Sequence, residues 1–138
     1  MYKRQDIDPA RVARIQNGDL PFYEPSLNKL VQAGIAQSTL RFTDDAAEAL
    51  EASEYLLICV GTPAATDGSA DLKCMMSVAN DIAKHMTTRR VVVNKSAVPV
   101  GTADEVADCI AEDLAARGAD IPFEVCSNPE FLLSLIHI

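Results

Sequence analysis

Six consecutive apolar residues, Tyr55-Leu56-Leu57-Ile58-Cys59-Val60, constrain this chain more than any other feature. An unalternating run of that length suits a strand covered on both faces of a parallel sheet. Gly61-Thr62-Pro63 stops it. Val91-Val92-Val93 repeats the pattern and ends near Lys95-Ser96, while Leu40-Arg41-Phe42 and Phe123-Glu124-Val125-Cys126 read as shorter strands. Helical patterns lie between them. Leu72, Met75, Met76, Ala79, Ile82, Ala83 and Met86 recur at helical spacing, the methionines as core filler. Thr102-Ala103-Asp104-Glu105 has the capping-box pattern for a helix to about Arg117, with Gly118 after it. Nearer the start, Asp8 caps and Pro9 opens a helix with Val12 and Ile15 on one face and Gly18 as its stop. Leu27, Leu30 and Val31 form the stripe of a second helix, which Gly34 ends. Thr43-Asp44-Asp45 caps a short helix to about Leu50. Every connection between strands is long enough to carry a helix. The fold class is therefore α/β with a parallel sheet, and ligands are expected beyond the carboxyl ends of its strands.

The chain has 138 residues, enough for one domain, and no linker or repeat marks a boundary. Twelve Lys and Arg against twenty Asp and Glu give a net charge of −8, which disfavours a nucleic-acid partner. No apolar run approaches the ~20 residues that span a bilayer, so no membrane is expected. Nor do Met1–Gln5 precede an apolar segment of the kind a secretory leader needs. The four cysteines lie far apart without a C-x-x-C pair, and His85 and His137 are the only histidines. A zinc site is not expected, and no other metal is assigned. Cys59 and Cys126 read as small buried thiols in strand-like runs. The compartment is taken as reducing, hence cytoplasmic.

The turns that follow strands are the places to look for chemistry. They are Asp6-Ile7-Asp8, Val60-Gly61-Thr62-Pro63, Lys95-Ser96-Ala97-Val98-Pro99-Val100-Gly101-Thr102 and Ser127-Asn128-Pro129-Glu130-Phe131-Leu132, all rich in Gly, Pro, Ser, Thr and acids. Composition alone says only that a ligand sits at one edge of a sheet. The order of these turns, together with Leu20-Pro21-Phe22-Tyr23-Glu24-Pro25 and Asp67-Gly68-Ser69-Ala70-Asp71-Leu72, resembles the UDP-glucose/GDP-mannose dehydrogenase family over about residues 6 to 132. Tyr23-Glu24-Pro25 with Lys95-Ser96-x-Val98-Pro99-Val100-Gly101 is more similar to the UDP-glucose branch than to the GDP-mannose branch.

The resemblance implies oxidation of a sugar C6 alcohol to a carboxylate. Two NAD are reduced in turn, a cysteine thioester links the steps, and UDP-glucose or a related nucleotide sugar is the substrate. It implies that Asp6 accepts the adenosine ribose hydroxyls and disfavours NADP, although alone it could simply precede a helix cap. Arg11 matches a basic position near the same end of NAD, or is a solvated helix arginine. Thr62 contacts the cofactor or merely ends a strand, with Gly61 allowing close approach. Ala97 stands where the family usually has Thr, near the nicotinamide, so only its backbone can serve there. Glu130 borders the substrate and activates water for thioester hydrolysis, the alternative being an ordinary acid at a helix start. Phe131 and Leu132 line the substrate pocket, mainly through their backbone. Lys95 is read as structural.

Two family features have no counterpart in this sequence. The G-x-G-x-x-G turn is not found, and residues 2–5 are too polar for the buried strand expected before Asp6. After Leu132 the chain runs Leu133-Ser134-Leu135-Ile136-His137-Ile138, where the family has a basic or small residue and a second Glu. The expectation is an incomplete doubly wound, Rossmann-like sheet without its first strand and Gly-rich turn. That makes residues 1–138 a partial NAD-binding domain, with 1–5 and 133–138 foreign to the pattern. The strand at 55–60 is then left with an open edge. None of the four cysteines has the context of the family nucleophile, so this chain alone is expected to be inactive, and the full-length protein to form a homo-oligomer. Another nucleotide sugar, such as a UDP-N-acetylhexosamine or GDP-mannose, or a non-catalytic nucleotide-binding module, are the competing readings.

Overall fold

The structure, a computed structural model, describes residues 1–51 and 53–130. It divides into two units, Met1–Ser53 and Glu54–Ile138.

In the first unit, β1 (Tyr2–Gln5) and β2 (Leu40–Thr43) pair in parallel, with Tyr2 opposite Leu40 and Gln5 opposite Thr43. The polar composition of Tyr2–Gln5 therefore does not prevent a strand; it gives a mostly exposed one. α1 (Pro9–Gln16) begins as its sequence dictates. Asp8 accepts the N–H groups of Ala10 (2.9 Å) and Arg11 (3.2 Å), and Pro9 needs no partner at the first helical position. The chain leaves α1 through Gly18 at φ +84°. α2 (Leu27–Ala36) runs past Gly34, which was expected to end it. Leu40 Cβ lies 3.0 Å from where a Gly34 Cβ would stand, so this glycine serves close packing of helix on strand. The helix stops instead at Ser38, φ +56°, where the Thr39 N–H returns to the Gly34 carbonyl at 2.9 Å. Val31 is buried but Leu30 is exposed, so the apolar stripe is narrower than predicted. α3 (Ala46–Glu51) is capped by Asp45, which accepts the Glu48 N–H at 3.1 Å. Buried Thr43 braces the same turn, accepting from Asp45 N–H and donating to Glu48 Oε2 at 2.7 Å.

The second unit is a three-stranded parallel sheet in the order β3 (Tyr55–Ile58), β4 (Arg90–Asn94), β5 (Phe123–Ser127). α4 (Lys73–His85) and α5 (Thr102–Ala116) are the crossovers. Met75, Ala79, Ile82 and Ala83 on α4, Met86 just after it, and Val106, Ile110 and Leu114 on α5 are buried together with Ile58 and Val92. The helical spacing read from the sequence is thus the core stripe, and Met75 and Met86 fill it. Among the described residues the parallel pairings thus form one two-stranded sheet, β1-β2, and one three-stranded sheet, β3-β4-β5, each within its own unit.

Three expectations are corrected here. Tyr55 and Leu57 are 63% and 58% exposed while Ile58 is buried, so the apolar run is covered on one face only. Cys59 and Cys126 are exposed rather than buried, because they share the parity of that open face or lie just past the strand. Thr102 is not a cap. Gly101, at φ +96°, takes the cap position, and Thr102 begins the helix with its side chain buried.

Candidate functional site

The three turns at the carboxyl ends of β3, β4 and β5 are tied to one another by named hydrogen bonds. As β4 ends, the Lys95 and Ser96 N–H groups donate to the Ile58 carbonyl at 2.9 and 3.3 Å. Ser96, 8% exposed, donates its hydroxyl to the Val60 carbonyl at 2.7 Å. Thr62, in the turn after β3, donates its hydroxyl to the Ala97 carbonyl at 2.7 Å. From the other side, the Asn128 N–H donates to the Asn94 carbonyl and the Glu130 N–H to the Lys95 carbonyl, each at 3.0 Å. Lys95 Nζ also donates to Asn128 Oδ1 at 3.3 Å. The turn after β4 is thus the hub, gripped from β3 and from β5. Thr62, Ala97 and Glu130, chosen from sequence, meet around it. Phe131 and Leu132 lie outside the described residues.

The sequence reading missed the role of Ser96 and Asn128 and half the role of Lys95. Small polar residues directly after an apolar strand were the available signal. The open main-chain groups at a strand end need partners, and short side chains nearby supply them. Lys95 holds the β5 turn with both its carbonyl and its ammonium, in keeping with a structural part.

In the first unit, Asp6 follows β1 directly, its N–H donating to the Thr43 carbonyl at 3.1 Å. Its carboxylate is engaged at both oxygens. Oδ1 accepts the Asp8 N–H at 3.0 Å, and Oδ2 lies 2.8 Å from Arg11 Nη1. Burial raises the Asp6 carboxyl, but the Asp8 N–H and the Arg11 guanidinium outweigh it and hold the group below its ordinary value. The hydrogen bond from Arg11 to Asp6, and the charge behind it, raise Arg11 in turn. Asp6 and Arg11 are thus one unit of structure, a carboxylate held beside a guanidinium. An ionised, half-buried carboxylate one residue past a parallel strand retains lone pairs for a diol. That fits the ribose of a dinucleotide. Among the described residues no three His, Cys, Asp or Glu side chains gather to hold a metal ion, and no helix is long and apolar enough to cross a membrane.

Residues 4–135 match the NAD binding domain of the UDP-glucose/GDP-mannose dehydrogenase family. The chain belongs to this family. The match extends into both terminal stretches set apart from the pattern above. UDP-glucose 6-dehydrogenase of Pseudomonas aeruginosa is 43% identical over 125 residues, covering 91% of this chain and 28% of that protein. GDP-mannose 6-dehydrogenase of Pseudomonas syringae pv. tomato is 39% identical over 130 residues, covering 92% of this chain and 30% of the relative. Among solved structures, a UDP-glucose dehydrogenase from Pyrobaculum islandicum superposes with a TM-score of 0.84 at 36% identity, covering 94% of this chain and 30% of that one. The chain therefore spans less than a third of the length of these relatives. The fold is of the Rossmann-like dehydrogenase type, and the cofactor of this domain is NAD.

Proposed function

We propose that this chain is the cofactor-binding part of an NAD-dependent UDP-glucose 6-dehydrogenase, a cytoplasmic homo-oligomer that oxidises UDP-glucose to UDP-glucuronate. The observation that carries the reading is the 43% identity to a relative of that name over nearly the whole chain, against 39% for a GDP-mannose 6-dehydrogenase. NAD, when bound, accepts the hydride in each oxidation. The residues of this chain hold and orient it. Asp6, held ionised by the Asp8 N–H and the Arg11 guanidinium, accepts the ribose hydroxyls, and its charge disfavours the additional phosphate of NADP. The turns carrying Thr62 and Ala97 present hydroxyl and peptide groups without net charge, which suits a nicotinamide ring. Glu130 is the base that takes a proton from the hydrolytic water. Phe131 and Leu132 line the sugar nucleotide through their main chain. The cysteine that carries the thioester belongs to another part of the protein, so this chain alone produces no NADH.

The GDP-mannose relatives, close behind in identity, support a second substrate reading. A substrate panel on the protein that contains this chain separates the two. NADH formation with UDP-glucose, and not with GDP-mannose or a UDP-N-acetylhexosamine, is the expected outcome. Turnover of GDP-mannose alone would overturn the assignment. Calorimetric titration of the chain with NAD should show binding, and its failure with the larger protein as well would point to a non-catalytic module.

A further inference from the structure

We propose that Thr62 is a positioning residue whose hydroxyl fixes the Ala97 carbonyl, and with it the face that the turn after β4 turns toward the cofactor. The inference rests on the NAD reading above and departs from it at one atom. A threonine hydroxyl has one proton to give. Here it goes to Ala97 at 2.7 Å, so it is not available for a ligand.

The backbone around Thr62 makes it a stiff donor. Pro63 follows, which confines Thr62 to extended conformations. The Pro63 carbonyl is itself held by the Asp71 N–H at 2.8 Å. A β-branched side chain has few rotamers to lose. The acceptor, by contrast, needs help. Ala97 has only a methyl group to anchor its turn, and beyond it Pro99 and Val100 stand in solvent. Ser96 is already tied down by the ends of β3, so the Thr62 bond reaches the first residue past that anchor. In a trans peptide the N–H opposes the C=O. Holding the Ala97 carbonyl toward Thr62 therefore directs the Val98 N–H away from it, as a fixed donor for an acceptor oxygen of the ligand.

Thr62→Val keeps the shape and removes the donor; Thr62→Ser keeps the donor. Two readouts on the isotope-labelled 138-residue chain separate the roles: the Ala97 carbonyl carbon resonance without ligand, and the NAD dissociation constant. In Thr62→Val the resonance should move more than those of neighbouring carbonyls. The constant should rise between about twofold and tenfold, the range one neutral hydrogen bond is worth. Thr62→Ser should leave both near the original. An unmoved carbonyl in Thr62→Val overturns the proposal, and if NAD binding weakens all the same, Thr62 meets the cofactor directly. A moved carbonyl with unchanged NAD affinity overturns it as well. A moved carbonyl in a chain that binds no NAD leaves the tie established and removes the cofactor reading instead.

Discussion

Ser96→Ala should loosen the whole second sheet. Ser96 is 8% exposed and gives its hydroxyl to the Val60 carbonyl at 2.7 Å. The substitution deletes that hydrogen bond, together with a longer contact from the same hydroxyl to the Ile58 carbonyl at 3.4 Å, and leaves a part-buried carbonyl with poor access to water. A net bond is worth about 1 kcal/mol, and an abandoned buried acceptor costs about 1–3 kcal/mol. Because Val60 is half-buried rather than sealed, the lower part of that range applies, about 1–2 kcal/mol. Native-state hydrogen exchange is the suitable assay, since it reads each unit separately. The amides of Val92 and Val93 in β4 should lose protection by roughly 5- to 30-fold, the factor equivalent to that energy. Amides of α1 and α2 in the first unit should not change. Ser53 gives its hydroxyl to the Ala49 carbonyl at 2.6 Å, a bond within one turn of chain. Its alanine variant should change β4 exchange by less than about twofold, since the bond is local. Undiminished β4 protection in Ser96→Ala would refute the idea that this hydroxyl clamps the turn after β4 to the end of β3.

Asp6→Asn should flatten the acid side of the stability profile. A carboxyl held below its ordinary value stabilises the folded chain above that value, and the contribution is lost as pH falls below about 4. Thermal melts of both proteins across that range should converge in acid and separate toward neutrality; parallel curves would count against the Asp6–Arg11 pair. Ser26→Gly should stabilise the first unit by about 0.5–1 kcal/mol, because Ser26 sits at φ 68° and makes no side-chain capping bond. A lower urea midpoint in that variant would contradict the strain argument. Cys109 should be the slowest of the four thiols toward iodoacetamide. Burial and then the charges of Asp113 and Glu112 raise it, and its Sγ lies 2.8 Å from Asn80 Oδ1, whereas Cys59, Cys74 and Cys126 are exposed. Mass spectrometry of timed samples would show the order.

Features with a local cause were legible in the sequence. Asp8-Pro9 starts a helix because cap and first residue act within one turn. The spacing of Met75, Ala79 and Ile82, and of Val106 and Ile110, marks buried faces because side chains four apart stack on a helix. The alternation of strand and helix sets a parallel sheet, and with it the end of the strands where turns can hold a ligand. Thr62, Ala97 and Glu130 were chosen as candidates by that rule and by family resemblance. Their joint attachment to the turn after β4 was not visible, since it depends on hydrogen bonds between residues more than thirty positions apart.

Burial and partnership were decided only in three dimensions. Tyr55 and Leu57 look like core in the sequence and are exposed, because coverage of a sheet face depends on what packs against it. Gly34 looks like a helix stop and is a contact point, since the distance to Leu40 is a property of the folded unit. Asp6 reads as a free acceptor and is joined to Arg11 at 2.8 Å. Residue type determined which groups could accept, donate or bury themselves. Tertiary structure chose among those options, because each requires a partner that the chain supplies only after it has folded back on itself.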